Sequence, residues 1–263
     1  KAYKKTSTSA HRIMKKIFKF IIYSSVLVVI WWAIKLFSGT PDFILPSPDI
    51  VIKSMIDNYY LLFSNALITL YEIIVGFILG TLLGLTTGIQ LIISKNSRKL
   101  LLPFILLSQA IPIFALAPIL TLWLGYGIWS KVIMTMIIIY FPITISFYEG
   151  LKRIDPMVVN LISIMGAGKL SFLFKVRIPF ALPQLSSGLK LAAAFAPIGA
   201  VIGEWVGSSK GLGYLMLYAS GRVQIDLMFA SIIVLAIFTV ILYNIVSFIT
   251  NQLTKWDPKS HLN

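Results

Sequence analysis

Long continuous runs of apolar residues, separated by short polar and basic stretches, dominate the chain. Six runs approach or exceed the length of a membrane span: 18–37, 66–93, 100–124, 129–148, 187–207 and 227–250. A helix rising 1.5 Å per residue needs roughly 20 apolar residues to cross a ~30 Å hydrocarbon core. None of the runs shows the alternation over about ten residues that a membrane β-barrel strand requires. The pattern therefore predicts an all-α, polytopic membrane protein with about six transmembrane helices. Residues 38–65 read as an external loop, with a short amphipathic helix after Leu45-Pro46-Ser47-Pro48, where the prolines restrict the backbone. Residues 149–190 form the large polar interruption, too short for a domain but long enough for two short helices. The expected organisation is a basic tail and first helix at 1–37, the loop at 38–65, a five-helix core at 66–250 and a tail at 251–263.

Composition supports this reading. Hydrophobic residues make up 58% of the 263 and charged residues only 12%, against about 25% charged in a soluble domain. Mean hydropathy is +0.90. The formal charge of +14 would suggest a nucleic-acid partner in a soluble protein. Here the cations flank the spans. Eighteen Lys and Arg fall in the N-terminal tail, the 94–99 loop, the 149–190 loop and the C-terminal tail; five fall on the other side, at Lys35, Lys53, Lys131, Lys210 and Arg222. The cytoplasmic side carries the excess of basic residues. Both termini and the 149–190 loop are therefore expected in the cytoplasm, and no nucleic-acid partner is expected. The basic N-terminus followed by an apolar run is like a signal peptide. No small-x-small site precedes Thr40-Pro41, so an uncleaved first helix is expected.

Within the spans, glycines recur at every fourth residue: Gly76, Gly80, Gly84 and Gly88 in the second, Gly199, Gly203 and Gly207 in the fifth. Small residues on one face let helices approach closely, so these are read as packing seams, with ligand contact as the other reading. Pro112, Pro118, Pro142 and Pro197 each remove a backbone hydrogen bond. The freed groups need protein or water beside them, which fits either static kinks or a pathway lined by bent helices. Glu72, inside the second span, is expected to face protein or water because an exposed acid in lipid is costly. Glu204, near the outer end of the fifth, is expected to reach water more easily. Gln109, Tyr140, Thr144 and Glu204 are the candidate pathway groups.

Several chemistries are missing from the sequence. There is no cysteine, which removes disulfides, thiolate metal sites and cysteine nucleophiles. His11 and His261 stand in opposite tails and do not suggest a metal site. The run Ser163 to Leu170 is glycine-rich, but Ser163 stands where a phosphate-binding loop needs glycine and Leu170 where it needs Ser or Thr. No catalytic residue, bound cofactor or metal is expected on this chain.

The 149–190 loop carries a recognisable spacing: Gly166-Ala167, then Val176, Ile178-Pro179, Pro183 and Gly188-Leu189. This resembles the cytoplasmic signature loop of permease subunits of ATP-binding-cassette importers. That pattern runs Glu-Ala-Ala, three residues, Gly, nine residues, an aliphatic residue, one residue, Leu-Pro. Gly166, Val176 and Pro179 fall at the matching positions, Ile178 replaces Leu, and Asn160-Leu161-Ile162 replaces Glu-Ala-Ala. Independently of the resemblance, Gly166 permits a sharp turn, and Phe172, Phe174 and Val176 supply apolar anchors among Lys169, Lys175 and Arg177. Such a segment suits docking in a partner's groove; a lipid-facing basic amphipathic segment is the other reading. Pro118 to Gly125, Gly203-Glu204-Trp205-Val206-Gly207 and Gly211-Leu212-Gly213 resemble the nitrate/sulfonate/taurine branch. Ser108-Gln109-Ala110-Ile111-Pro112 and Ala196 to Glu204 look most like permeases for hydroxymethylpyrimidine, a thiamine precursor.

The resemblance implies a type I importer permease in the bacterial cytoplasmic (inner) membrane. It implies a second permease copy, two cytoplasmic ATPase subunits that bind ATP and magnesium, and an extracytoplasmic substrate-binding protein. The implied coupling-loop residues are Asn160, Gly166, Ala167, Ser171, Phe172, Val176 and Pro179. The alternatives are a secondary carrier or channel acting alone, and a membrane scaffold.

Overall fold

The computed structural model describes residue 22 and residues 25–166 and 168–256. The remaining tail residues, with His11 and His261, and Ala167 in the signature loop lie outside the described residues. Every regular element among the described residues is helical: α1 (Ser25–Ser38), α2 (Pro48–Asp57), α3 (Tyr59–Ile93), α4 (Lys95–Leu107), α5 (Ile113–Leu124), α6 (Ile128–Lys152), α7 (Pro156–Ile164), α8 (Lys169–Phe172), α9 (Ile178–Gly207), α10 (Leu212–Gly221) and α11 (Ile225–Leu253). A π-helical turn, Leu173–Arg177, joins α8 to α9. Four stretches are long and apolar enough to cross a membrane: α3, α6, Lys169–Gly207 and α11. The apolar helices α1 and α5 are shorter.

Most spans overrun their hydropathy limits. The 35 residues of α3 extend about 52 Å and take in 59–65, part of the expected external loop. α6 continues to Lys152, and α9 begins at Ile178 rather than 187. The polar interruption is therefore shorter than 149–190, and Lys190 sits inside α9, donating to Asn251 Oδ1 at 2.9 Å. Hydropathy marks the part of a helix that needs lipid; backbone hydrogen bonding carries the helix further. The third expected span is the exception. It breaks after Leu107 and resumes at Ile113, with Pro112 as the N-cap of α5 rather than a kink within one helix. Pro112 lacks an N–H and disfavours helical conformation in the residue before it.

The chain divides into two compact units, residues 1–59 with 218–230, and residues 60–217 with 231–263. In the first, Pro48 opens α2 at the position where its missing N–H costs nothing. Lys35 pairs with Asp42 at 2.8 Å, and Trp31 stacks on Phe229 with centroids 5.5 Å apart.

The second unit is built around α6. The first glycine seam faces it, as do Gly199 and Gly203 of the second, whereas Gly207 packs against Thr121 and Tyr126. A Cβ added at Gly76, Gly80, Gly84 or Gly88 would lie 2.6, 2.6, 2.9 or 2.8 Å from Thr135, Ile139, Ile143 or Phe147 respectively. The seam advances four residues on each helix, so matching four-residue ridges meet. From the opposite side, a Cβ on Gly199 would stand 2.6 Å from Thr135 Cα, and one on Gly203 3.0 Å from Lys131 Cα. Thr135 is gripped between Gly76 and Gly199. Gly188 against Ser146 and Gly150 against Ala181 continue the α6–α9 contact. The core around Met134, Ile139, Ile143, Phe147, Ala192 and Ala200 is consequently apolar and closely packed.

Candidate functional site

At one end of α6 and α9 the signature loop folds as two short helices. Asp155 caps α7: its Oδ1 accepts from the Met157 N–H at 2.8 Å. Pro156 follows in the first turn, the usual order for a helix start. After α7 the Met165 N–H reaches the Leu161 carbonyl at 3.1 Å. Gly166 then turns the chain at φ +70°. A Cβ there would meet nothing within 4 Å, so glycine is required by the backbone conformation and not by space. Leu173 is buried in the bundle core and pins the π turn. Arg177 lies over the Phe172 ring at 5.0 Å.

The rest of the loop points away from the bundle. Met157, Leu161, Ile164 and Met165 share one face of α7 and its last turn, with Ile164 83% exposed, and Leu170 and Phe174 are exposed nearby. Asn160 and Ser171 are exposed, while Phe172, Val176 and Pro179 are half-buried. Pro179 stands in the first turn of α9, where it preserves the helix instead of breaking it. Lys152, Arg153, Lys169 and Lys175, which flank α7 in the sequence, are all exposed. A cavity of 290 Å³ lies between the loop (Lys169, Leu170, Phe172, Leu173, Arg177) and the end of α3 at Ile92 and Ile93.

The other end of α9 holds a buried polar cluster. Glu204, expected to reach water, is 1% exposed, and Glu72 and Lys131 are equally buried. The Lys131 ammonium donates to three carbonyls, of Tyr126 at 2.7 Å, Gly127 at 3.0 Å and Gly207 at 2.8 Å. Gly207 ends α9, so a cation sits at the negative end of that helix. Glu204 Oε2 accepts from the N–H groups of Gly213 and, at 3.2 Å, Tyr214. Glu204 Oε1 accepts from the Thr69 hydroxyl at 2.6 Å. Thr69 Oγ1 accepts from the Leu212 N–H at 2.8 Å, and Asn65 Oδ1 from the Gly211 N–H at 2.8 Å. The carboxyl of Glu72 sits against that of Glu204. Gly211, at φ +109°, and Gly213 leave no room for side chains here: their Cβ atoms would fall 2.3 and 2.8 Å from the Glu204 carboxyl.

The four candidate pathway groups do not converge. Gln109 is exposed in the break between α4 and α5. Tyr140 is half-buried and its phenol meets Thr87 Oγ1 at 3.2 Å; Thr144 is buried and donates to the Tyr140 carbonyl at 2.7 Å. Sequence reasoning missed Asn65, Thr69 and Lys131. The available signal was a lysine three residues inside a helix that is otherwise apolar, a position too costly to leave unpaired.

Residues 76–256 match the family described as binding-protein-dependent transport system inner membrane component. The chain is 43% identical to a "Probable ABC transporter permease protein" of Haemophilus influenzae, over 87% of this chain and 93% of that one. It is 34% identical to the formylaminopyrimidine transport permease protein ThiX of Halalkalibacterium halodurans, over 90% and 95%. In fold it is similar to a chain of the MetNI methionine ABC transporter solved in inward-facing conformations, with TM-score 0.65 and 21% identity over 75% of this chain and 98% of that one. An all-helical bundle whose signature loop stands out from tightly packed spans fits that assignment, and the chain belongs to the binding-protein-dependent transport system inner membrane component family as a permease subunit of an ABC importer.

Proposed function

We propose that this permease carries a small polar solute inward through the cytoplasmic membrane, delivered by an extracytoplasmic binding protein and driven by cytoplasmic ATPase subunits that dock on residues 153–177. One observation carries the reading: the exposed apolar face of α7, with exposed Lys and Arg before and after it in the chain, is followed by the Gly166 turn and by buried Leu173, which anchors the loop. A short amphipathic helix of this kind suits insertion in a partner groove. ATP and magnesium belong to the partner, and a second copy of this chain completes the pathway. Both termini are cytoplasmic by the charge distribution. A pyrimidine precursor of thiamine is the first substrate assigned, supported by 34% identity to a formylaminopyrimidine permease; taurine, other sulfonates and nitrate are the competing cargo. The break at 108–112 supports Gln109 as a pathway group, because irregular backbone inside a bilayer needs protein or water beside it.

The test is Gly166→Val in the complex with its ATPase and binding protein. A side chain at φ +70° costs about 1–2 kcal/mol, and more for a β-branched one. With open space around the site, membrane insertion should be normal. Recovery of the ATPase on purification, or ATP turnover stimulated by the loaded binding protein, should fall sharply. Retention of both removes the loop as the coupling element. Uptake driven by an ion gradient without ATP would establish a secondary carrier instead. Uptake across hydroxymethylpyrimidine, formylaminopyrimidine, taurine and nitrate ranks the cargo.

A further inference from the structure

We propose that Glu204, Thr69 and Asn65 are positioning residues for transport: they fasten the first turn of α10 to α3 and α9, so that movement of α9 is delivered to the outer α9–α10 turn. The inference rests on the coupling role given above to the loop at the opposite end of α9.

A helix leaves its first N–H groups without partners, and a local Ser, Thr, Asp or Asn usually accepts one of them. α10 has no such residue. Its start reads Gly211-Leu212-Gly213, which offers no side-chain acceptor. The N–H groups of Gly211, Leu212, Gly213 and Tyr214 are each taken by a side chain from another helix, Asn65 and Thr69 of α3 and Glu204 of α9. The first two acceptors lie 146 and 143 residues earlier in the chain. Detaching them removes these acceptors, and the glycines supply no replacement.

The charge placement is consistent with a clamp. A carboxyl group sits at the positive end of α10 and the Lys131 ammonium at the negative end of α9. The short turn between the helices is therefore held at both ends by buried polar side chains from the bundle. Burying charge is costly, and a local neutral cap would satisfy the same groups. What the remote arrangement adds is a tie between three helices. Lys169–Gly207 forms one helical stretch of 39 residues, running from α8 through the π turn at Leu173–Arg177 into α9, which carries Pro183 and Pro197. In this proposal, displacement of the loop at one end of the stretch is passed along α9 to Glu204 near the other. The clamp is where it passes to α10.

The experiment uses the complete complex of permease, ATPase and binding protein in proteoliposomes. Glu204→Gln keeps the shape but opposes an amide donor to backbone N–H donors. Thr69→Val and Asn65→Leu remove the other two acceptors. The complex should be recovered at wild-type yield, with ATP hydrolysis in the absence of binding protein within about twofold of wild type. The maximal hydrolysis and uptake stimulated by the loaded binding protein should fall about tenfold, the size of an ordinary coupling between sites, while the half-saturating concentration of binding protein stays the same. A second readout follows α10 directly. Leu215→Cys, at a position buried in the wild type, introduces a single thiol in a cysteine-free chain, and it should react about tenfold faster with a maleimide when Glu204→Gln is present, as expected for local opening. Full stimulated uptake in Glu204→Gln, with the introduced thiol still protected, overturns the proposal. So does a loss of uptake matched by an equal loss of assembled complex or of unstimulated hydrolysis, which marks a folding contact only. Failure of the importer reading is distinguishable, because the wild-type complex would then show no stimulation by a binding protein.

Discussion

The packing around α6 predicts that two chemically identical substitutions differ in cost. In Gly199→Ala the new methyl falls 2.6 Å from Thr135 Cα and 3.1 Å from Thr135 N. Carbon atoms pack at about 3.5–4.0 Å, so the two backbones must separate by about 1 Å. Both belong to the most tightly packed helix pair, and Thr135 cannot retreat because Gly76 closes its other side. In Gly80→Ala the methyl meets side-chain atoms first, Ile139 Cγ1 at 2.6 Å and Cδ1 at 2.7 Å, with the Met136 carbonyl further off at 3.2 Å. Overpacking costs typically 1–3 kcal/mol, against a gain of about 1 kcal/mol from replacing glycine within a helix. With the upper part of the overpacking range, about 2–3 kcal/mol, for the backbone contact, Gly199→Ala should lose about 1–2 kcal/mol net, and Gly80→Ala should stay within about 1 kcal/mol of wild type. Gly80→Leu exceeds what Ile139 can yield and should abolish folding. Gly221→Ala, where a Cβ meets nothing within 4 Å, is the control. Reversible unfolding by SDS in mixed micelles, followed by tryptophan fluorescence, measures all four. A Gly199→Ala protein as stable as wild type, or less affected than Gly80→Ala, refutes the argument that backbone contact sets the cost.

Three further outcomes follow from the same geometry. Lys131→Met removes a buried ammonium from the carbonyls of Tyr126, Gly127 and Gly207; breaking a buried charge partnership costs about 3–5 kcal/mol, so recovery of folded protein should drop severely, and wild-type recovery would contradict a structural role for these three hydrogen bonds. Val223 holds φ +60° with a 60% exposed side chain, at the end of α10 where the Gln224 N–H reaches the Ala219 carbonyl at 2.9 Å; Val223→Gly relieves about 1–2 kcal/mol of backbone strain against about 0.5–1 kcal/mol of added chain entropy, and should raise the thermal midpoint in detergent slightly. Lys169→Cys and Lys210→Cys, both at exposed positions, should label from opposite faces of a sealed membrane, and labelling from the same face would overturn the six-span topology.

The apolar runs alone determine an all-helical membrane bundle, because no other structure satisfies so many consecutive backbone groups in lipid. Part of the signature loop was legible too: room for two short helices and the Gly166 turn could be read because those signals are local, whereas the Asp155 cap of α7 is seen only in the structure. Gly76 to Gly88 could be read as a seam because the period lies within one helix. Its partner on α6, and the fact that Thr135 is gripped from both sides, could not be read, because residues 76, 135 and 199 meet only after three helices pack. The break at 108–112 shows the limit of hydropathy, which sums apolarity and does not register where a helix stops. Glu204 illustrates the point best. In the sequence it is an acid near a span end, where water would be its expected neighbour. Its acceptor role comes from helix-start N–H groups nine and ten residues onward and from Thr69, 135 residues earlier. Hydrogen bonds over that separation depend on helix packing, and no local pattern of residue types encodes them.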